Sequence, residues 1–294
     1  MKSATTMLVL LFITCSAFAG HGRIAIIKSG SAAPYEASIA GLRSELNRAG
    51  ISENIDEYGI PFQFPSSSQP QVIVAVGCDA IDLVAKTIHD TPIVYMMATT
   101  QSKTQANLTG ISLDVSPLQQ FSLCKKIVPK LRRVGVLYDP RQTRELVERG
   151  TEQAREINIE VIASKVSKID DIYEAVRALG PRIDALWIIP DATVYNLKTT
   201  QDILLFSIQE HLPVIGLSLP YVKAGALCSS SCNYKAIGAQ AAKMVEKILD
   251  GQAPSQIPPE EPEIAETSVN LITAERIGIA IPYSVVQEAT NVVK

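Results

Sequence analysis

HDTPIVYMM at residues 89–97 and EHLPVIGLS at residues 210–218 are built alike. In each, a helix-like tail ends in an acidic residue and a histidine, in either order. A proline follows, then a short apolar run, then small or polar residues. Proline cannot continue a helix, and β-branched residues fit a pleated, buried surface, so both stretches read as the end of a helix feeding a buried strand. The neighbours extend the match. RRVGVLYDP (132–140) corresponds to RIAIIKSG (23–30), and DALWIIPD (184–191) corresponds to QVIVAVG (71–77). Pairing Ile24 with Val134, Val72 with Ala185 and Pro92 with Pro213 gives offsets of 110, 113 and 121 residues. An offset that drifts slowly in one direction describes two copies of one α/β unit with small insertions.

Strands that are apolar throughout, alternating with helical patterns, predict parallel sheets covered on both faces. TGISLDV (109–115) and IEVIASKV (159–166) add strands. Helical spacing covers residues 35–49, 80–89, 141–157, 170–179, 195–211 and 234–249. DGQAPSQIPPEEPE (250–263) reads as a proline- and acid-rich crossing or loop. The chain then ends in a strand, a helix-turn and, from SVVQEATNVV, a terminal helix. The fold class expected is α/β, with two Rossmann-like lobes. In such sheets ligands bind at the carboxyl ends of the strands, so two facing rims form a cleft.

The chain of 294 residues is 47% hydrophobic, ample for packed cores, and its formal charge of −3 comes without a basic stripe, which argues against nucleic acid as a partner. At the start, MKSATTMLVLLFITCSAFAG combines Lys2, a short apolar region and Ala17-Phe18-Ala19, the pattern of a signal peptide (1–19) cleaved near Ala19. A periplasmic protein is therefore expected, in an oxidising compartment. There Cys228 and Cys232 of CSSSC either form a local disulfide or stay free thiols, and an extended strand would hold them too far apart to bond. No CxxC or HExxH occurs and the three histidines are far apart, so no metal and no cofactor is expected. GxSxG, P-loop and GxGxxG patterns are also missing from the sequence, so no enzyme is expected.

LYDP, DALWIIPDATVYN, GAL at 225–227 with the Tyr-x-x-Ile-Gly helix at 234–238, ILDGQAP and VNLITAERIGIAIP, in that order, resemble the tryptophan/aromatic-type branch of ABC-transporter substrate-binding proteins. These are periplasmic binding proteins of type I architecture. The resemblance implies two lobes joined by a three-segment hinge, which close on a small solute, an amino acid or related carboxylate, and present it to a membrane permease. It implies a first lobe of residues 20–115 plus 226–262 and a second of 116–225 plus 263–294, acting as a monomer. A sensor signalling through a membrane receptor would use the same clamp. The chain departs from the family at Gly77-Cys78-Asp79 and at Ala98-Thr99-Thr100-Gln101, both in the expected cleft.

Candidate ligand contacts sit at strand ends. Ser29, Gly30 and Ser31 offer hydroxyls and N–H groups to an anion, or make a plain βα turn. Tyr35 stacks on a ligand or caps the first helix. Cys78 follows the second strand, and Asp79 either meets an ammonium group or caps the next helix. Met96 lines an adaptable pocket or fills core. In the second lobe Asp139, Asp191 and Ser218 occupy the equivalent ends, with Asp139 also readable as a turn residue. Tyr221 is placed at the mouth, and Trp187 in the core.

Overall fold

The computed structural model describes residues 23–51, 54–64, 69–98 and 105–294, so the signal-peptide reading lies outside the described residues. The first lobe holds β1 (Ile24–Lys28), α1 (Ala33–Arg48), β2 (Ile55–Gly59), β3 (Val72–Val76), α2 (Cys78–Thr87), β4 (Ile93–Ala98) and β5 (Leu108–Ser112). Among the described residues these strands form a parallel sheet in the order β2-β1-β3-β4-β5. Strands β3, β4 and β5 are buried at every position, as a sheet sandwiched by helices requires. The polar strand β2 (IDEYG) carries no apolar run; it forms because it pairs with one edge of β1.

The second lobe begins with α3 (Pro117–Ile127), β6 (Arg133–Tyr138), α4 (Pro140–Glu156), β7 (Glu160–Lys165), α5 (Ile172–Leu179) and β8 (Ala185–Trp187). It continues with α6 (Leu197–Gln209), β9 (Val214–Gly216), α7 (Leu219–Ala224) and β10 (Cys228–Cys232). After α8 (Tyr234–Leu249) come β11 (Ala265–Asn270), α9 (Leu271–Arg276), α10 (Tyr283–Glu288) and β12 (Asn291–Val293). The sheet order is β12-β11-β10-β9-β8-β6-β7, with β11 antiparallel to β10 and the other described pairings parallel. Strands β7-β6-β8-β9-β10 thus repeat β2-β1-β3-β4-β5 one for one. The duplicated unit is a five-stranded sheet whose order reverses beside its first strand, the place where such sheets bind ligands.

The same register corrects two expectations. The chain was expected back in the first lobe from residue 226, yet Cys228–Cys232 is the fifth strand of the second sheet. In both copies the chain crosses after that fifth strand, so the return falls between Cys232 and Tyr234, where α8 packs along α1. Glu260 still lies beside Ile111 of β5, and Ala265 opens β11 in the second sheet. The terminal segment is not one helix either. Helix α10 stops at Glu288, and Val292 and Val293 instead pair as β12 along the edge of β11, where β-branched residues are favoured.

The local disulfide is also overturned. Cys228 and Cys232 are free, at the two ends of β10. Pairing with β9 and β11 on either side keeps CSSSC extended, and four residues of strand span about 13 Å, beyond the reach of a disulfide.

Three packed cores result among the described residues, one of them on the α2 face of the first sheet, where Ile27, Ile73 and Ile93 meet Ile81 and Val84. One joins α3 to the second sheet, with Phe121 edge-on to Trp187 at 4.9 Å between ring centroids. Another lies under α1 and α8, where Ile39, Leu42, Ile237 and Val245 meet β1 and β3. Helices α1 and α8 touch backbone to backbone: a Cβ on Gly41 would sit 1.9 Å from the Lys235 carbonyl oxygen, and one on Gly238 1.8 Å from that of Ser38.

Candidate functional site

The carboxyl ends of β1 and β3 are locked together. The Ser29 hydroxyl accepts the Ala80 N–H at 2.9 Å, so Ser29 performs the capping expected of Asp79 at the start of α2. Gly77, at φ 90°, makes room for this, since a Cβ there would sit 2.7 Å from Ser29 Oγ and 2.8 Å from the Tyr35 hydroxyl. Tyr35 therefore lies over the β3–α2 turn. Gly30 is half-buried, and Ser31, Cys78 and Asp79 are exposed at this rim. Met96 is wholly buried in the first-lobe core, which is the core-filling role weighed for it.

In the second lobe two buried carboxylates organise the rim. Asp139 accepts the Arg141 N–H at 3.0 Å as the N-cap of α4, and a fork of Arg141 Nε and Nη2 at 3.0 and 2.7 Å. The guanidinium holds the Asp139 carboxyl well below the usual carboxylate range. Asp191 is 2% exposed and its oxygens serve its own lobe. Oδ2 accepts the Asp139 N–H at 2.7 Å and the Thr143 hydroxyl at 2.6 Å, and Oδ1 accepts the N–H groups of Thr193 and Val194 at 3.1 and 3.2 Å. It ties the β8–α6 loop to the β6–α4 turn. Tyr221 packs its Cβ on Gly216 and is half-buried against the second-lobe core.

Where the first two crossovers meet the rim of the second sheet lies a cavity of about 250 Å³. Leu113, Asp114 and Val115 come from the crossing after β5, Ser230, Ser231 and Cys232 from the end of β10, and Tyr234 from the start of α8. The ends of β8 and β9 supply Trp187 to Pro190, Leu217 and Ser218. Of the contacts named from sequence, Ser218 lines this space, whereas Asp114, Ser230, Ser231 and Tyr234 were not anticipated. Their signal was positional: they sit at or beside chain crossings, whose exact place only the sheet order reveals. The walls are held in place. Trp187 Nε1 donates to Gln120 Oε1 at 2.9 Å, Gln120 Nε2 donates to the Val115 carbonyl at 3.0 Å, and the Cys232 thiol donates to the Leu113 carbonyl at 2.8 Å.

Burial, then the charges of Asp114 and Glu266, push the Cys232 thiol up to about 12. The folded chain keeps this proton to higher pH than the unfolded chain, so alkaline pH works against the fold from about pH 8.5 upward. Only thiolate reacts with alkylating agents. At about pH 8, exposed Cys78 is expected to label quickly in the native protein and Cys232 far more slowly; equal rates, read by peptide mass spectrometry, would contradict this burial.

No group of acids, histidines and cysteines suited to a metal occurs among the described residues. None of their helices is long and apolar enough to cross a membrane. What the described residues do offer is a lined cavity at the crossovers, on the rim of the second sheet. Residues 63–293 match the model of the ABC transporter substrate binding protein family. The chain belongs to that family.

As a substrate-binding protein of this family it has the two-lobed, type I periplasmic binding architecture. Among solved structures, the ligand-free, open structure of a substrate binding protein with adhesive properties from Clostridium difficile superposes with a TM-score of 0.73, at 20% identity, covering 93% of this chain and 99% of that one. A Streptococcus pneumoniae domain in complex with L-Trp gives 0.60 at 21% identity, covering 93% and 100%. A tyrosine-binding protein of Clostridioides difficile strain R20291 is 21% identical over 224 residues, 72% of this chain; the match spans 64% of that relative, just under two thirds of its length.

Proposed function

We propose that this substrate-binding protein captures a small solute, an amino acid or a related carboxylate, between its lobes and delivers it to the membrane permease of an ABC transporter. In this reading it works in the periplasm as a monomer, after removal of a signal peptide near Ala19. The observation that carries the reading is the cavity at the crossovers, which combines apolar walls from Ile188, Ile189, Pro190 and Leu217 with the hydroxyls of Ser218, Ser230 and Ser231, the Asp114 carboxylate and the Tyr234 ring. An apolar wall with a few converging polar groups is how small-molecule sites hold one solute in one orientation. Its volume of about 250 Å³ suits a single small molecule rather than a peptide. Support for an amino acid comes from the relatives, one a tyrosine-binding protein and one solved in complex with L-Trp. Two lobes that share a ligand gain contacts on both faces only when shut, so binding shifts the population toward the closed state.

The test is a thermal-shift screen over amino acids, short peptides and organic acids, with protein refolded to remove any carried-over ligand. A solute present at a hundred times its Kd stabilises the native state by about 2.7 kcal/mol, enough to raise the melting temperature by several degrees. If no solute in the panel shifts the unfolding of a well-folded preparation, the solute-capture reading fails.

A further inference from the structure

We propose that Cys124 and Cys228 join in a disulfide as the chain folds in an oxidising compartment, stapling α3 to β10 within the second lobe. The bond is independent of solute capture. Sheet register and helical spacing carry the inference. Trp187 of β8 pairs with Ile215 of β9, and Ile215 pairs with Cys228 of β10, so the three side chains share one face of the sheet. Helix α3 covers that face: it packs on β9 and β10, and Phe121 meets Trp187. Cys124 follows Phe121 by three residues, on the same side of α3. Both cysteines are completely buried, in one and the same core. A hydrogen bond with Cys124, then burial, pushes the Cys228 thiol well above its ordinary value. The two thiols therefore stand against each other, reduced in this structure. The other cysteines of the described residues are engaged elsewhere: Cys78 is exposed at the first-lobe rim, and Cys232 donates to the Leu113 carbonyl.

Thiolate, not thiol, attacks a disulfide. In the finished fold Cys228 keeps its proton and both sulfurs are sealed from solvent, so the exchange belongs to the folding chain. There one cysteine thiolate attacks a disulfide donor such as oxidised glutathione and releases one glutathione thiolate. The second cysteine thiolate then attacks the mixed disulfide and releases the other. Two protein thiols become one disulfide and one donor disulfide becomes two thiols, so electrons and protons balance. The product closes a loop of about 100 residues, long enough for a large entropic gain. It also fixes the helix whose Gln120 holds Trp187 and the Val115 carbonyl at the cavity wall.

The test is to denature and reduce the protein, refold it with excess oxidised glutathione, alkylate the remaining thiols in denaturant, and map the peptides without reduction. The expected product is a linked pair of peptides carrying Cys124 and Cys228. The linked protein is expected to melt at least about 5 °C above the same protein refolded in reductant. Cys124→Ala and Cys228→Ala should each erase that difference, and Cys78→Ala should keep it. If the alanine variants misfold, the wild-type map still decides. Alkylation or glutathione adducts at both Cys124 and Cys228 in well-folded oxidised protein overturn the staple, as does a bond from either to another cysteine. Refolding that succeeds only in reductant, or a linked protein that melts no higher than the reduced one, overturns it as well.

Discussion

Gly238→Ala is expected to lower the melting temperature by about 6–12 °C, a loss of about 3 kcal/mol or more at about 2–4 °C per kcal/mol for a chain of this size. In an ordinary exposed helix the same change would stabilise, because alanine loses less backbone entropy than glycine on folding. Here the added Cβ would lie 1.8 Å from the carbonyl oxygen of Ser38 and 2.7 Å from the Leu42 nitrogen. Both obstacles are backbone and cannot rotate away, so α8 must lift from α1 and loosen the packing of Ile237, Ala241 and Val245. Gly41→Ala meets the Lys235 carbonyl at 1.9 Å on the facing helix and is expected to behave alike. The double variant should cost less than the sum, because one displacement relieves both clashes. Thermal unfolding by circular dichroism checks this; melting temperatures within 2 °C of the parent would mean, at about 2–4 °C per kcal/mol, that the helices do not cross this closely.

Asp191→Ala is expected to cost about 3–5 kcal/mol and about 10 °C in melting temperature. The reason lies in its four donors. Removing the carboxylate strands the N–H groups of Asp139, Thr193 and Val194 and the Thr143 hydroxyl in a site with little access to water. Asp191→Asn retains one acceptor oxygen and the shape, and should lose roughly half as much. Because Asp191 spends its oxygens on holding two loops, solute affinity in the folded Asp191→Asn protein should match that of the parent. A variant that keeps its melting temperature but loses solute binding would show instead that Asp191 meets the ligand.

The candidate contacts divide along physical lines. Ser29 and Tyr35 do gather at one rim, but the Ser29 hydroxyl is spent on the Ala80 N–H. Asp139 and Asp191 also gather, and they bond to their own lobe. Strand-end position foretold proximity well; it could not foretell which polar groups would find partners within the lobe and which would face the cavity. Ser218 belongs to the second kind. Asp114 and Tyr234 escaped notice because their importance comes from the crossovers, and the second crossing was misplaced by the length of one strand.

That strand marks the limit of local reading. Apolar runs at β1, β3, β4, β6, β8 and β9 and the matched prolines at 92 and 213 are enough to specify twin parallel sheets, since burial on both faces demands a continuous apolar run whatever the rest of the chain does. CSSSC has no such run, and IDEYG has none either; they are strands because neighbouring edges offer them hydrogen bonds. Which edge a polar segment joins, where the chain therefore crosses between lobes, and how closely Gly41 and Gly238 bring two backbones together all depend on pairings between residues far apart in the chain. Those were decided by the tertiary structure, because backbone hydrogen bonds and close packing are satisfied globally while hydrophobic periodicity is written locally.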